Sequence, residues 1–439
     1  MTPPETARPP AIDTAQQKLE TEQARPAAIR TGETPGWPRT RGNVWMLDQA
    51  ADGKLRYMSD VYGGRVLGYE EVDGVAIAQT PPLALAMLAL GTQVAIERPL
   101  REKFEWHALE VDASGSLHGR GPTFAARSHA VAAQRLAESH GQALRTIAAI
   151  SQPQSSMTRA DLAADGAMIT GLLSRLRSTV AALAERGKTV FADRISLSLL
   201  DGEMQLSEYE VGEIYADTAR MLAGFVAPIT GQASPPVTVV SQSCGTNARA
   251  LAEGRLDIDH PTAGIIVATP SHPFPQDPNL RGAPTPKARM LIDELEARAV
   301  AKTLDGKRWY CPRLRQAWID GTRIIAEFTT LSNLISSGSP QGFGFAGYTG
   351  KCPQIIKVAL FGSTVQIDVD ALPQGDDVFL TYAHGPSADG SPDNYGNIHD
   401  TWAANSLQEP GQILHRYALS CRCRIMPSDL KAKHSEAKA

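Results

Sequence analysis

The order of periodic segments constrains the fold of this chain more than any other feature of its sequence. Between about residues 120 and 305, stretches of helical spacing such as "DLAADGAMITGLLSRLRSTVAALAERG" alternate with short apolar stretches such as "RISLSLL" and "TAGIIVATP". Repeated β-α units of this kind place helices on both faces of a mostly parallel sheet. The pattern therefore predicts an α/β domain in the middle of the chain.

The pattern changes after residue 306. "TRIIAEFTTL", "KVALFGSTVQIDVD", "DVFLTYAHG" and "ILHRYALSCRCRI" are short alternating segments, and Gly, Pro and Asp turns separate them. Such alternation is typical of half-buried strands in antiparallel sheets. The sequence thus predicts an α/β domain over residues 41–305, followed by an antiparallel β-sandwich over residues 306–427.

The two ends of the chain lack a sustained apolar period. Residues 1–40 are rich in proline, alanine and charge, so we expect an N-terminal arm that is either disordered or docked on a neighbouring surface. Residues 428–439, "SDLKAKHSEAKA", predict a solvated tail.

Charge and hydropathy limit the classes of partner. The 439 residues have a formal net charge of −4, which supplies no basic stripe for nucleic acid. The N-terminus has no apolar core of a signal peptide, so we expect synthesis in the cytoplasm without a signal peptide. The longest apolar run, residues 83–96, is too short to span a bilayer and predicts a buried helix or strand.

The five cysteines do not form a metal-binding pattern. No C-x-x-C pair is present, and the chain also lacks GxxxxGK[ST], HExxH and EF-hand motifs, so we expect neither a metal nor a cofactor. Buried free thiols are the favoured interpretation. A disulfide between Cys311 and Cys352, each of which precedes a proline, is the alternative.

Several segments, taken in order, resemble the SGNH/GDSL hydrolases. "GPTFAARSHAVAAQRL", "LLDGEMQLSEYEVGEIYADTARML" and "QDPNLRGAPTPKARML" are similar to three blocks of the branch related to sialate O-acetylesterases of bacteria and bacteriophages. "QGFGFAGYTG" and "YGNIHDTWAAN" resemble the C-terminal sandwich of that branch. The resemblance implies a flavodoxin-like, SGNH-type sheet with helices on both faces, followed by the sandwich.

The same resemblance implies that the hydrolytic site is degenerate. The region where the family carries its nucleophile has no serine, and the turn that is usually Q-G-E-S-D keeps Gly202 and Glu203 but has Gln205 at its last position. In "QDPNL", Asp277 remains and Asn279 stands where the family has histidine. Asparagine cannot act as a general base near neutral pH. We therefore expect a remnant cleft in which ester hydrolysis has been lost.

Other nucleophiles and histidines are rescue candidates. Ser243 and Cys244 in "SQSCGT" follow a strand, and His272 in "TPSHPFPQDP" follows the next one. A plain turn and a structural loop histidine are the favoured interpretations. His129 lies in helix-like sequence and is predicted to pack or to be exposed, and His399 is predicted to make loop hydrogen bonds in the sandwich.

Two functions follow as hypotheses. The first is a non-catalytic structural or binding protein, such as a virion fibre, spike or decoration protein, which contacts glycans or neighbouring proteins and is compatible with a homo-oligomer. Trp106, Trp318 and Trp402 are candidate sugar-stacking platforms, with core packing as the favoured alternative. The second is an active carbohydrate O-acetylesterase with a relocated nucleophile, which requires a serine or cysteine beside a histidine.

Overall fold

The computed structural model describes fourteen stretches of the chain. The chain divides into two compact units, Met1–Thr80 and Pro81–Ala439. The described residues are 44–49, 55–60, 66–72, 75–78, 82–91, 107–112, 117–118, 125–140, 145–154, 157–199, 206–245, 247–277, 283–385 and 395–427.

The first unit contains a four-stranded antiparallel sheet. Its strands follow one another in chain order, so each pairs with its neighbour in sequence. The strands are β1 (Val44–Gln49), β2 (Leu55–Asp60), β3 (Val66–Val72) and β4 (Val75–Ala78).

The second unit begins with a seven-stranded sheet in the order β11-β10-β9-β5-β8-β6-β7. All pairs are parallel except the β6–β7 hairpin. Strands β8, β5, β9, β10 and β11 follow the flavodoxin-like order, which confirms the predicted fold class. The bounds are β5 (Leu83–Gly91), β6 (Ala108–Val111), β7 (Leu117–His118), β8 (Ile147–Pro153), β9 (Thr189–Ser198), β10 (Val237–Gln242) and β11 (Ile265–Pro270).

Helices cover both faces of this sheet. Helix α1 packs against α6 on one face, and α2 packs against α3 on the other. In the described residues, no helix is long and apolar enough to cross a membrane. The helices are α1 (Ala125–Ser139), α2 (Ala167–Ala184), α3 (Glu208–Thr230), α4 (Ala248–Glu253), α5 (Leu256–Asp259) and α6 (Pro286–Leu304), with a 3₁₀ turn at Pro261–Ala263.

Local sequence explains where the central elements begin and end. The apolar run predicted to be a buried helix or strand is strand β5, which lies in the middle of the sheet and is covered on both faces. It ends at Gly91, where φ is +117° and a Cβ would lie 2.0 Å from the carbonyl oxygen of Ser198. Helix α3 begins with a capping box between Ser207 and Glu210 and ends at Gly231 in the left-handed conformation.

The sandwich consists of a seven-stranded and a three-stranded sheet. Their orders are β15-β18-β21-β12-β13-β17-β16 and β14-β19-β20, and only the β12–β21 pair is parallel among their described strands. Apolar side chains from both sheets form one core, as predicted for alternating strands. The strands are β12 (Arg313–Asp320), β13 (Arg323–Thr329), β14 (Leu334–Ser336), β15 (Phe343–Ala346), β16 (Ile355–Phe361), β17 (Thr364–Val369), β18 (Phe379–Tyr382), β19 (Ile398–Asn405), β20 (Ile413–Tyr417) and β21 (Cys421–Met426).

None of the five cysteines, all of which lie in the described residues, forms a disulfide. Cys311 is buried and its thiol donates to the carbonyl oxygen of Ala268 at 3.2 Å, whereas Cys352 is half-buried. The alternative of a Cys311–Cys352 disulfide is therefore wrong, because the Cys311 thiol instead satisfies a strand carbonyl.

Gln242, the last residue of β10, joins the α/β sheet to the sandwich. Its side-chain Nε2 donates to the carbonyl oxygens of Ala250 at 2.7 Å and Ser420 at 2.8 Å, and its Oε1 accepts from the Ser420 amide at 2.7 Å. The amide group fills the space beside Gly254, where a Cβ would lie 2.4 Å from Nε2. One buried side chain therefore satisfies three main-chain groups from two layers.

We expect Gln242→Ala to lower the free energy of unfolding by about 2–5 kcal/mol. The change leaves the buried amide and carbonyl groups of Ser420 without partners, and each unsatisfied group costs about 1–3 kcal/mol. The Ala250 carbonyl oxygen still accepts from the Gly254 amide. Urea unfolding monitored by circular dichroism measures the loss. The matched control is Gln412→Ala, since Gln412 is exposed. Equal stabilities of the two variants would contradict this role for Gln242.

Candidate functional site

The carboxyl ends of β9, β10 and β11 form the edge where open α/β sheets bind ligands. Ser198, Ser243 and His272 lie at or just beyond these ends. Asp277 is in the loop that follows β11, and its amide donates to the Ala283 carbonyl oxygen at 2.8 Å. The other predicted remnant residues, Gly202, Glu203, Gln205 and Asn279, lie outside the described residues, and so does Trp106.

A buried carboxylate organises the described part of this edge. Glu253, the last residue of α4, accepts from the Tyr215 hydroxyl at 2.6 Å, the Arg249 Nε at 2.7 Å and the Ser243 amide at 2.6 Å. Arg249 also donates to Ser198 Oγ at 3.3 Å. Burial is the main cause that raises the pKa of Tyr215, so this hydroxyl stays protonated and remains a donor. The network therefore holds the ends of β9 and β10 to helices α3 and α4.

Ser243 and Cys244 lie beside this network. Both are half-buried, and Ser243 Oγ has no hydrogen-bond partner, although the Ser243 amide is engaged by Glu253. In the same loop, the carbonyl oxygen of Gly245 accepts from Nδ1 of His384, a residue of the sandwich, at 3.2 Å. Burial lowers the pKa of His384. The loop after β10 is therefore another point of contact between the two layers.

His272 is buried under the sandwich. Its Nε2 donates to the Ala418 carbonyl oxygen at 2.9 Å, and its ring meets the Tyr382 ring edge-to-face at 5.9 Å. Burial lowers the pKa of His272 to about 4, against the opposing effect of hydrogen bonds to the main chain of Ala418 and Gly396. The imidazole is therefore neutral at neutral pH and donates to the backbone of another layer.

A second polar cluster lies between helices α1 and α6, under the same half of the sheet. His129 Nε2 is 2.8 Å from Asp293 Oδ1 and 2.7 Å from Glu296 Oε2, and all three side chains are buried. Arg289 Nη2 is 2.6 Å from Asp293 Oδ1 and 3.5 Å from Glu296 Oε1. Ser196 and Ser241, on β9 and β10, donate to Glu296 at 3.0 and 2.6 Å.

The charges of this cluster compensate one another. Burial alone would lower the pKa of His129, but the carboxylates of Glu296 and Asp293 override it and raise the pKa to about 9. Burial alone would raise the pKa of Glu296, but His129 and Arg289 hold it at about 2. Two cations and two anions therefore form a neutral group in a buried layer.

Residues His129, Asp293 and Glu296 have the types and proximity of metal ligands, since their ligand atoms lie within 4.8 Å of one another. However, a metal would have to displace the proton of His129 and compete with the guanidinium of Arg289, which already contacts Asp293. The cluster also differs from a catalytic triad, because both serines donate to Glu296 rather than to the imidazole. The geometry favours an ion-pair network that joins α1 to α6.

The ion pairs of His129 were not predicted from the sequence, where this residue was expected to pack or to be exposed. The helix α6 carries a usable signal, because Arg289, Asp293 and Glu296 follow one another at spacings of four and three residues and thus share one face. Charged residues on the inner face of a helix indicate a partner of opposite charge. The partner is 164 positions earlier in the chain, so spacing alone could not identify it.

The two predicted tryptophan platforms within the described residues, Trp318 and Trp402, are packed against protein. Trp318 is only 7% exposed. Trp402 is half-buried, and its ring meets the Trp309 ring edge-to-face at 4.9 Å, with the guanidinium of Arg416 5.8 Å from its centroid.

No protein-family model matches this chain, and no curated protein does so either. Among solved structures, it is similar to a carbohydrate acetylesterase from Xanthomonas citri, with 14% identity and a TM-score of 0.44 over 83% of this chain and 94% of the other. It is also similar to a protein from Arabidopsis thaliana, with 10% identity and a TM-score of 0.36 over 51% of this chain and 98% of the other. No residue role is carried over from either protein.

We expect His129→Asn to abolish a pH dependence of stability. Because the folded protein raises the pKa of His129 from 6.5 to about 9, the stabilisation is complete below pH 6.5 and is lost as pH rises through about 9. Each unit of pKa corresponds to about 1.4 kcal/mol. The measurement is the free energy of unfolding in urea at pH 6 and at pH 9.5.

The variant should be less stable than the natural protein at pH 6 and should lose less stability between the two pH values. The control is His140→Asn, since His140 is exposed. An unchanged loss of stability with pH in His129→Asn would show that another group is responsible.

Proposed function

We propose that the α/β domain is a non-catalytic structural and binding scaffold, which keeps an esterase-like arrangement but does not hydrolyse esters at its carboxyl edge. The observation that carries this proposal is the contact between Glu253 and the Ser243 amide at 2.6 Å. It lies at the end of β10, where the rescue candidates Ser243 and Cys244 are found.

This contact is unfavourable for acyl transfer at Ser243. An ester reacts through an oxyanion, which requires free, preorganised N–H donors. Here the main-chain donor of Ser243 is bound to a buried carboxylate, which would also repel a negative charge that develops beside it. The electrostatic environment therefore opposes the intermediate rather than stabilising it.

The nearest predicted base does not support hydrolysis either. A general base near neutral pH needs a pKa in that range and access to the nucleophile. His272 is buried, its pKa is lowered to about 4, and its Nε2 is bound to Ala418. These properties favour a structural role for His272 over the competing proposal, an O-acetylesterase whose nucleophile has moved to Ser243 or Cys244.

The edge serves instead as an internal contact surface. Gln242, His272 and the Gly245 carbonyl each bond to the sandwich, and Arg422 of the sandwich donates to Glu208 at 2.7 Å. Side chains that would bind a ligand in an enzyme here hold a second domain in place. This arrangement favours a binding function for the outer surface that the α/β domain and the sandwich form together.

Strand β16 supports a binding role for that surface. It is the last strand of its sheet among the described strands, so one row of its main-chain groups faces outward. Ile356 is 68% exposed and Phe361 is 57% exposed, and Lys357 is the one charged residue of the strand. We propose that β16 pairs with β16 of a second copy, which gives a homo-oligomer.

On the resemblance alone, we extend the proposal to a bacteriophage virion component, such as a fibre, spike or decoration protein. Such a component contacts neighbouring proteins or a surface glycan. Detection of the chain in purified virus particles by mass spectrometry tests this extension, and its absence from particles of a phage that encodes it would refute the extension.

Ester turnover, if any, should not depend on the carboxyl edge. We expect Ser243→Ala and Cys244→Ala to hydrolyse p-nitrophenyl acetate and an acetylated sugar at the rate of the natural protein, because neither side chain acts as a nucleophile. Ser234→Ala, a change of an exposed serine, is the control. A tenfold or larger fall in rate confined to either edge variant would overturn the proposed non-catalytic role of the edge.

Oligomerisation should depend on β16. We expect Ile356→Glu and Phe361→Glu to convert the oligomer to a monomer of 47.1 kDa in sedimentation and light-scattering measurements, because charged side chains on an edge strand oppose its pairing with another strand. Ile258→Glu is the matched control, since Ile258 is also an exposed apolar residue but lies on α5. A natural protein that stays monomeric at high concentration would contradict the pairing.

A further inference from the structure

A serine and a histidine meet on the three-stranded sheet of the sandwich. Ser337 Oγ lies 3.2 Å from His399 Nε2. The β14–β19 register places Ile335 opposite His399, so Ser337, two positions further, projects from the same face at the end of the strand. Ser337 is exposed, whereas His399 is only 2% exposed. The hydroxyl is therefore open to a substrate, while the imidazole beside it is held by the protein.

The hydrogen bond made by Nδ1 of His399 determines which ring nitrogen carries the hydrogen. His399 Nδ1 is 2.8 Å from the Asp400 carbonyl oxygen. A carbonyl oxygen can only accept, so Nδ1 carries the hydrogen of the neutral ring and Nε2 presents its lone pair to Ser337. In this tautomer Ser337 donates its hydroxyl hydrogen to the imidazole. This is the relation between a nucleophile and a general base.

The groups around Ser337 and His399 hold the imidazole ring in place but leave its Nε2 available to Ser337. The His415 ring stacks on His399 at 4.0 Å, and the Tyr417 ring meets His399 edge-on at 5.4 Å. The carboxylate of Asp400 is bound to Arg416 at 2.5 Å, so it does not compete for the imidazole. The ring of His399 is therefore fixed by packing and by one main-chain carbonyl.

Two further groups suit an acyl substrate. The Tyr417 side chain lies within hydrogen-bonding reach of Ser337, so its hydroxyl is near enough to turn toward the carbonyl oxygen of an ester bound there. Ile335, on the same face of β14, is 42% exposed and offers apolar surface for a short aliphatic chain. Through its ring, Tyr417 also contacts Phe274, 6.0 Å away, in the loop after β11. The pair thus lies at the junction of the sandwich and the α/β layer.

We propose that Ser337 is a nucleophile toward short-chain acyl esters, with His399 as its general base and Tyr417 as a donor to the oxyanion. Ser337 Oγ bonds to the ester carbonyl carbon while its proton passes to His399 Nε2. The bond from that carbon to the alcohol oxygen then breaks, and the alcohol leaves with the proton from His399. Water repeats the sequence on the acyl-serine, releases the carboxylic acid and restores the hydroxyl.

The serine-directed probe for this site is a tagged fluorophosphonate, with the labelled peptide identified by mass spectrometry. We expect the full-length protein to be labelled at Ser337 and Ser337→Ala to lose that label. His399→Asn should slow labelling of Ser337 tenfold or more and should remove its dependence on pH, a result that a merely structural histidine would not give. Tyr417→Phe should slow labelling several-fold.

Ser339→Ala is the matched control, because Ser339 is exposed in the loop that follows β14, and this variant should be labelled at Ser337 at the natural rate. Far-UV circular dichroism establishes that each variant is folded. Absence of Ser337 labelling in the natural protein, or equal labelling rates in folded His399→Asn, would overturn the proposal. Incubation with p-nitrophenyl acetate should also leave an acetyl group on Ser337. This inference is independent of the proposed role of the edge, since turnover that depends on Ser243 would overturn that role alone.

Discussion

The contact between the ends of β10 and β11 and the segment before β21 is the interaction on which the second unit depends. Gln242 and His272 each project from the carboxyl edge of the parallel sheet and bind main-chain groups of Ser420 and Ala418. Ser420 in turn donates its hydroxyl to the carbonyl oxygen of Ala383, which has a φ of +48°. A non-glycine residue in this conformation persists only where its surroundings compensate the strain. The junction is therefore built from specific hydrogen bonds rather than from apolar contact alone.

The carboxyl edge of the parallel sheet is used for contact with the sandwich. Parallel sheets with helices on both faces leave the carboxyl ends of their strands open, and polar side chains collect there in most proteins of this architecture. In the described part of this edge, Arg249, Glu253 and Tyr215 bond to one another, and Gln242 and His272 bond to the sandwich. Buried polar side chains need hydrogen-bond partners. A side chain that the protein itself binds strongly is not available to react with a substrate. In the sandwich, by contrast, the exposed hydroxyl of Ser337 lies beside the buried imidazole of His399.

Periodicity was enough to predict the architecture but not the contacts within it. The β-α alternation and the later strands predicted both layers, because the spacing of apolar residues directly reflects which face is buried. The capping box at Ser207 and Glu210 shows how such local signals also determine helix ends. The pairs Gln242–Ser420 and Ser337–His399 are 178 and 62 residues apart, and no local spacing encodes such contacts.

The neutral group of His129, Arg289, Asp293 and Glu296 has a consequence for the divergence of this protein from its relatives. A single replacement leaves a buried charge without compensation, whereas replacing all four residues by apolar ones of similar size can be neutral or stabilising. Sequences that diverge from this one should therefore keep the four residues together or lose them together. In an alignment, the position of His129 on α1 and the three positions on α6 would therefore change together. Covariation between any two of the four positions would show only part of this network.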